Sequence, residues 1–207
     1  HTTSHIMAQA IKRLFPEVKL AIGPAIDEGF YYDFDTEKPF TDEDKEKIEQ
    51  EMKKIIKEDL AIERFSLPKK EALELMKDEP YKQELINDLK DGEEISFYKQ
   101  GEFTDLCAGP HLMSTGKVKS IKILNSSGAY WRGSEKNKML QRIYAISFPK
   151  ASLLEEHMHL LEEAKERDHR KIGKELKLFM THKLVGSGLP MYLPKGATIR
   201  RTLERYI

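Results

Sequence analysis

The chain of 207 residues has a single cysteine, Cys107, and a single tryptophan. One thiol excludes an internal disulfide framework and fits a reducing compartment, so a cytoplasmic location is expected. Long apolar runs are missing too. The most apolar stretch, around Ile143 to Phe148, falls far short of the ~18 residues that a membrane helix needs. The opening His1-Thr2-Thr3-Ser4-His5 has neither the basic nor the apolar region of a secretory signal. Net charge is also absent, with 35 Lys plus Arg against 35 Asp plus Glu. What remains is 39% hydrophobic and 34% charged, a composition of soluble globular chains with charged surfaces rather than disordered ones. At ~150 residues per domain, one or two domains are expected. With no initiator methionine and an end in mid-pattern at Tyr206-Ile207, the chain reads as a piece of a longer protein.

Charge is segregated even though the total cancels. Thr41 to Asp59 holds eight acidic and five basic residues, whereas Lys117 to Arg142 holds seven basic and one acidic. Lys165 to Lys177 adds six basic against three acidic. Such stretches are either solvated faces or, beside aromatic residues, contacts for a phosphate-rich partner.

Apolar Ile6, Met7, Ala10, Ile11 and Leu14 recur at helical spacing and predict a first helix from Thr2 to Leu14. Leu20 to Ile26 and Phe30 to Phe34 read as strands, with Gly23-Pro24 marking a bulge where another group can approach the backbone closely. Thr41 is placed as the N-cap of a helix with Ile48, Met52, Ile55 and Ile56 on one stripe. A strand near Ala61 to Leu67 follows, then short helices started by Pro68 and Pro80. A hairpin turns at Gln100-Gly101, between Glu94–Tyr98 and Glu102–Cys107, and further strands occupy Lys119–Leu124 and Met139–Phe148. Ser152 with Glu155 forms a capping box for a long helix. Gly186-Ser187-Gly188-Leu189-Pro190 opens a further domain. The class is α+β.

His1 and His5 lie one helical turn apart. At ~100° per residue they point about 170° from the mean direction of the apolar stripe, which argues against core histidines. They are either plainly exposed or two imidazoles aimed at a common site. Cys107-Ala108-Gly109-Pro110-His111 adds a thiol and a third imidazole across a tight turn. On spacing alone, His1, His5, Cys107 and His111 form a plausible zinc set. Phe103, Asp105 and Cys107 alternate along a strand and share a face. A carboxylate on an apolar face either caps the following turn or serves a site. Lys82 lies in phase with Leu85, Ile86 and Leu89. It either snorkels to water or is an ammonium held at a helix N-terminus, where it could orient a water. Tyr130, Trp131 and Arg132, followed by Lys136, Lys138 and Arg142, form either an ordinary hairpin or a surface that stacks on nucleotides.

Taken together, these residues resemble the threonyl-tRNA synthetases, class II aminoacyl-tRNA synthetases, of the bacterial type. The matching stretches are His1-Thr2-Thr3-Ser4-His5, Ala21-Ile22-Gly23-Pro24 with Gly29-Phe30-Tyr31-Tyr32-Asp33, Asp105-Leu106-Cys107-Ala108-Gly109-Pro110-His111, Gly128-Ala129-Tyr130-Trp131-Arg132-Gly133, Asn137 to Tyr144 and Arg167 to Gly173. They run in the family's order almost end to end. One position departs: Ala108 stands where bacterial relatives often carry an arginine.

The resemblance implies a two-layer antiparallel sheet with helices, the editing domain shared with alanyl-tRNA synthetases, over residues 1–150. A linker helix over 151–175 and the start of the aminoacylation domain over 176–207 follow. It implies post-transfer editing, in which the ester of mischarged seryl-tRNA(Thr) is hydrolysed. His1, Lys82, Cys107 and His111 are implied as catalytic, and His5, Asp105, Gly23, Tyr130 and Arg132 as substrate-binding. In this reading Lys82 and His1 hold the attacking water and Asp105 pairs with the seryl ammonium. Lys82→Ala is expected to abolish most deacylation while leaving folding nearly intact. No metal is implied as required for editing; if zinc binds, its ligands are His1, His5, Cys107 and His111. The full-length enzyme is implied to attach threonine to tRNA with ATP, Mg and one Zn, as a homodimer, the fragment being a monomer without membrane contact. Two rival readings stand beside this one. One is a non-catalytic module that binds the tRNA acceptor end; the other is a free-standing zinc deacylase, against which the start of a further domain speaks.

Overall fold

The computed structural model describes residues 1–90 and 92–206. It divides into two compact units, His1–Leu154 and Glu155–Ile207, the last residue of which lies outside the described ones.

In the first unit the order is α1 (Thr2–Leu14), β1 (Lys19–Leu20), β2 (Ala25–Ile26), β3 (Gly29–Asp35), α2 (Asp42–Glu58), β4 (Ile62–Leu67), α3 (Lys69–Leu75), α4 (Pro80–Asp88), β5 (Ile95–Gln100), β6 (Phe103–Leu106), β7 (Ser120–Tyr130) and β8 (Met139–Phe148). Two antiparallel sheets result. One runs β1-β3-β8-β7 with β2 added on β3, and the other runs β4-β5-β6. The architecture is α+β, with the predicted helices and strands in the predicted order except that Leu20–Ile26, read as one strand, is interrupted at residues 21–24 and leaves two short strands, β1 and β2.

Period-two alternation turns Phe30, Tyr32 and Phe34 of β3 to one side, where Ile143 and Ala145 of β8 and Ile121 and Ile123 of β7 join them. The stripes of α1 (Ile6, Met7, Ala10, Ile11) and α2 (Ile48, Met52, Ile55) close on this face. Each Ile, Met or Phe among them, fully buried, contributes about 1.5–3 kcal/mol of transfer free energy. A smaller core joins Ala72, Met76 and Ile86 of the short helices to Ile95 and Phe97 of β5.

Local signals act as the sequence predicts at several ends. The Thr41 hydroxyl accepts from the Asp44 backbone N–H, and the Asp44 carboxylate accepts from Thr41 N–H, a reciprocal cap. Pro80 occupies the first turn of α4, but Pro68 is the N-cap of α3 rather than a helical residue. Ser152 is not a cap. Leu154 N–H donates to Lys150 O, so α5 (Ala151–Glu166) starts earlier and takes Ser152 into its first turn.

The larger correction concerns α1, which is buried all round from Thr2 to Ile11. Its polar side faces not water but the β5–β6 hairpin, through Gln100 Nε2 donating to Gln9 Oε1 at 2.8 Å and His5 set edge-on to Phe103 at 6.1 Å. His5 is therefore a buried histidine and only His1 is exposed.

The second unit holds the rest of α5 with α6 (His169–Glu175), an antiparallel pair β9 (Phe179–His182) and β10 (Gly186–Tyr192), and α7 (Pro194–Tyr206). Asp168 caps α6 by accepting from Arg170 N–H at 2.7 Å. No described helix is long and apolar enough to cross a membrane.

Candidate active site

Four elements converge at the N-terminal end of α1. That end brings His1 and His5, α4 brings Lys82, β6 brings Asp105, and the turn after β6 brings Cys107 and His111. The His5 and His111 rings are 4.4 Å apart and those of His1 and His111 are 5.9 Å apart. His111 Nε2 lies 3.3 Å from Cys107 Sγ, which also accepts from Gly109 N–H at 3.3 Å. Six of the nine residues singled out in the sequence thus gather in one place.

Asp105 is the hub. Its carboxylate lies 2.6 Å from Lys82 Nζ, accepts from the Tyr32 hydroxyl at 2.6 Å and from Leu106 N–H at 2.8 Å, and faces His5 Nε2 at 3.5 Å. Lys82 is 2% exposed and Asp105 1%. Lys82 therefore does not snorkel, and Asp105 does more than cap its turn. Nor is Asp105 open to a substrate ammonium, because its oxygens are already taken by a cation and two donors. It holds Lys82, which also sits 5.3 Å over the Tyr32 ring. Tyr32 is missing from the residues singled out by sequence, and its only signal there is its place on the inward side of β3.

Burial fixes the protonation states around this hub. It pushes the Asp105 carboxyl up, but Lys82, His5 and the Tyr32 hydroxyl outweigh it and the net shift is down. His5 falls to about 4, mainly through burial. His111 falls to about 3 through burial and the neighbouring His5. Both imidazoles are neutral near pH 7. Burial raises the Cys107 thiol, the Gly109 N–H only partly opposing it, so a standing thiolate nucleophile is disfavoured.

The His5 shift has a consequence for stability. Its folded pKa lies below the usual 6.5, so the unfolded chain binds more protons between those values. Stability from this residue is complete above pH 6.5 and is lost as pH falls toward 4, by about 3 kcal/mol in all. Urea midpoints measured from pH 7.5 to 4.5 are expected to fall, and His5→Gln to flatten that slope. An unchanged slope in the variant would refute this assignment.

A zinc set of four is not assembled. His1, Cys107 and His111 offer ligand atoms within 4.8 Å of one another, whereas His5 turns Nε2 to Asp105 and leaves buried Nδ1 without a partner. Three ligands of this kind fit a catalytic zinc with an open position, which would polarise a carbonyl or bound water. Because Asp105 neutralises Lys82, the ammonium itself is a weak obstacle to a cation there.

Gly23 belongs to the same assembly at one remove. A Cβ built there would overlap the Tyr32 ring, so the bare backbone lets Tyr32 reach Asp105. Tyr130 and Arg132 lie elsewhere. Arg132 is paired with Glu84 and Asp88 of α4, and Trp131 packs on Tyr81 at 5.0 Å, so this segment buttresses the helix carrying Lys82. Arg132 is thereby engaged with carboxylates rather than presented to phosphate. The basic stretch is broadly paired: Lys122 with Glu49, Lys138 with Asp35 and Arg142 with Asp33.

The family described as "Threonyl and Alanyl tRNA synthetase second additional domain" matches residues 95–144, which include Asp105, Cys107 and His111. The threonine–tRNA ligase of Caldanaerobacter subterraneus subsp. tengcongensis is 68% identical over all of this chain and 32% of its own length. Those of Acetivibrio thermocellus and Clostridium perfringens are 64% and 63% identical, again over the whole chain and 33% and 32% of their own lengths. The chain spans about a third of these relatives. Over that third it is similar to the threonine–tRNA ligases, and its residues 95–144 match the additional domain described for the threonyl and alanyl enzymes.

Proposed function

We propose that the first unit is a proofreading hydrolase that removes serine esterified to tRNA(Thr). The observation that carries the reading is the cluster of His1, Cys107 and His111 beside the buried Lys82–Asp105–Tyr32 network. Threonine differs from serine by one methyl group, which a pocket discriminates by only ~10–200-fold. Where more is needed, a second site must destroy the wrong product.

In the proposed reaction a water oxygen attacks the seryl carbonyl and the bond to the ribose oxygen breaks. His1, the exposed imidazole of the cluster, takes the water proton and returns it to the leaving ribose hydroxyl. Lys82, fixed by Asp105, offers one of its remaining N–H donors to the developing oxyanion. Neutral His111, with Cys107, walls the site and contacts the terminal ribose, while buried His5 backs it from the side of Asp105. Residues 1–150 serve as the editing domain, 151–175 as a linker and 176–207 as the start of an aminoacylation domain. In the full-length enzyme that domain would charge tRNA with threonine, using ATP, Mg and one Zn, in a cytoplasmic homodimer.

The test is single-turnover deacylation of seryl-tRNA(Thr) and threonyl-tRNA(Thr) by this chain. Loss of serine with threonine spared is expected, unchanged after chelator treatment and within about threefold in Cys107→Ala, since the raised thiol is not the nucleophile. Survival of both esters while tRNA still binds would replace the reading by a non-catalytic acceptor-end module. Loss of activity with zinc removal would move the chemistry to a metal on His1, Cys107 and His111.

A further inference from the structure

Two side chains outside the cluster act on His111. Thr2 is 5% exposed; its hydroxyl oxygen accepts from Leu112 N–H at 2.9 Å and lies 3.3 Å from His111 Nδ1. On the other side, Tyr98 of β5 lays its ring against that of His111, with centroids 4.0 Å apart and planes 30° apart. Gly109, at φ 78°, makes this approach possible, since a Cβ there would overlap the Tyr98 hydroxyl.

The hydrogen bonds decide which nitrogen of His111 carries the proton. The Thr2 hydroxyl has a proton to donate, and the acceptor within reach is Nδ1. If Nδ1 bore the ring hydrogen, two N–H groups would point at one oxygen and a buried hydroxyl proton would lose its acceptor, at a cost of about 1–3 kcal/mol. Nδ1 is therefore the acceptor, and Nε2 carries the hydrogen and donates to Cys107 Sγ at 3.3 Å. Tied in this way, the ring's tautomer sets what His111 offers a substrate beside Cys107.

We propose that Thr2 and Tyr98 are positioning residues that lock His111 as its Nε2–H tautomer, turned toward Cys107, with Thr2 setting the tautomer and Tyr98 the ring plane. The kinetic consequence rests on the deacylase reading above; the tautomer does not.

The experiment reads both. In this chain, the ¹⁵N shifts of His111 are expected to report an unprotonated Nδ1 and a protonated Nε2 near pH 7. Thr2→Val, which keeps the shape and removes the hydroxyl, is expected to give a mixed tautomer and to slow single-turnover deacylation ~10-fold, as loss of a histidine's supporting partner does. It is expected to act on the rate rather than on tRNA affinity. Thr2→Ser is expected to restore both readouts. A wild-type His111 protonated at Nδ1, or a tautomer unmoved in Thr2→Val, overturns the proposal without needing any active enzyme. If the tautomer responds as stated while the wild type leaves seryl-tRNA intact, the positioning stands and the deacylase reading falls.

Discussion

Lys82→Met is expected to abolish deacylation and also to cost about 3–5 kcal/mol of folding stability, because it strands a buried carboxylate. This replaces the near-intact folding expected from the sequence, and the reason is structural. Lys82 does not stand free in a pocket but is, among the described residues, the only cation within 4 Å of the Asp105 carboxylate. Burial alone pushes that carboxyl up, and Lys82 is the largest influence holding it down. Urea denaturation at pH 7.5 checks the prediction, a midpoint equal to wild type being the result that sinks it. The double variant Lys82→Met/Asp105→Leu separates the two roles. It removes both charges together and is expected to recover most of the stability, since a buried ion pair and an apolar pair differ little in net stability. It should recover no deacylation.

Gly23→Ala is the second large effect, from a single added methyl group. The new Cβ falls on the Tyr32 ring, and that ring cannot retreat. It is 1% exposed and stacked on Phe34 at 4.8 Å, and its hydroxyl is tied to Asp105 at 2.6 Å. Overpacking of this kind costs about 1–3 kcal/mol. Displacement of Tyr32 removes a donor from Asp105 and shifts Lys82, so deacylation is expected to fall ~100-fold. Gly188→Ala, where the built Cβ meets nothing within 4 Å, is the control and should leave both readouts unchanged. Retained activity in Gly23→Ala would show that the Tyr32 contact with Asp105 is dispensable.

Most elements and their order were legible in the sequence. Apolar spacing bounded α1, Thr41 capped α2, the alternation of Phe103, Asp105 and Cys107 set the face of β6, and Lys82 stood visibly in phase with an apolar stripe. These are local matters, settled by period, caps and turns within a few residues. Tertiary structure alone decided what those faces meet. A helical wheel shows that His5 points away from the stripe of α1, but not that a second sheet waits there to bury it. The partner of Tyr32 is 73 positions away and that of Arg142 is 109 away. Charge segregation along the chain therefore gave no warning that Arg132, Lys138 and Arg142 would be met by acids from other elements. Asp105 was legible as a residue of consequence, yet its role changed once Lys82, Tyr32 and His5 were brought around it. Periodicity fixes direction relative to a residue's own element; occupancy of the space in that direction depends on contacts between distant segments, which only the folded chain specifies.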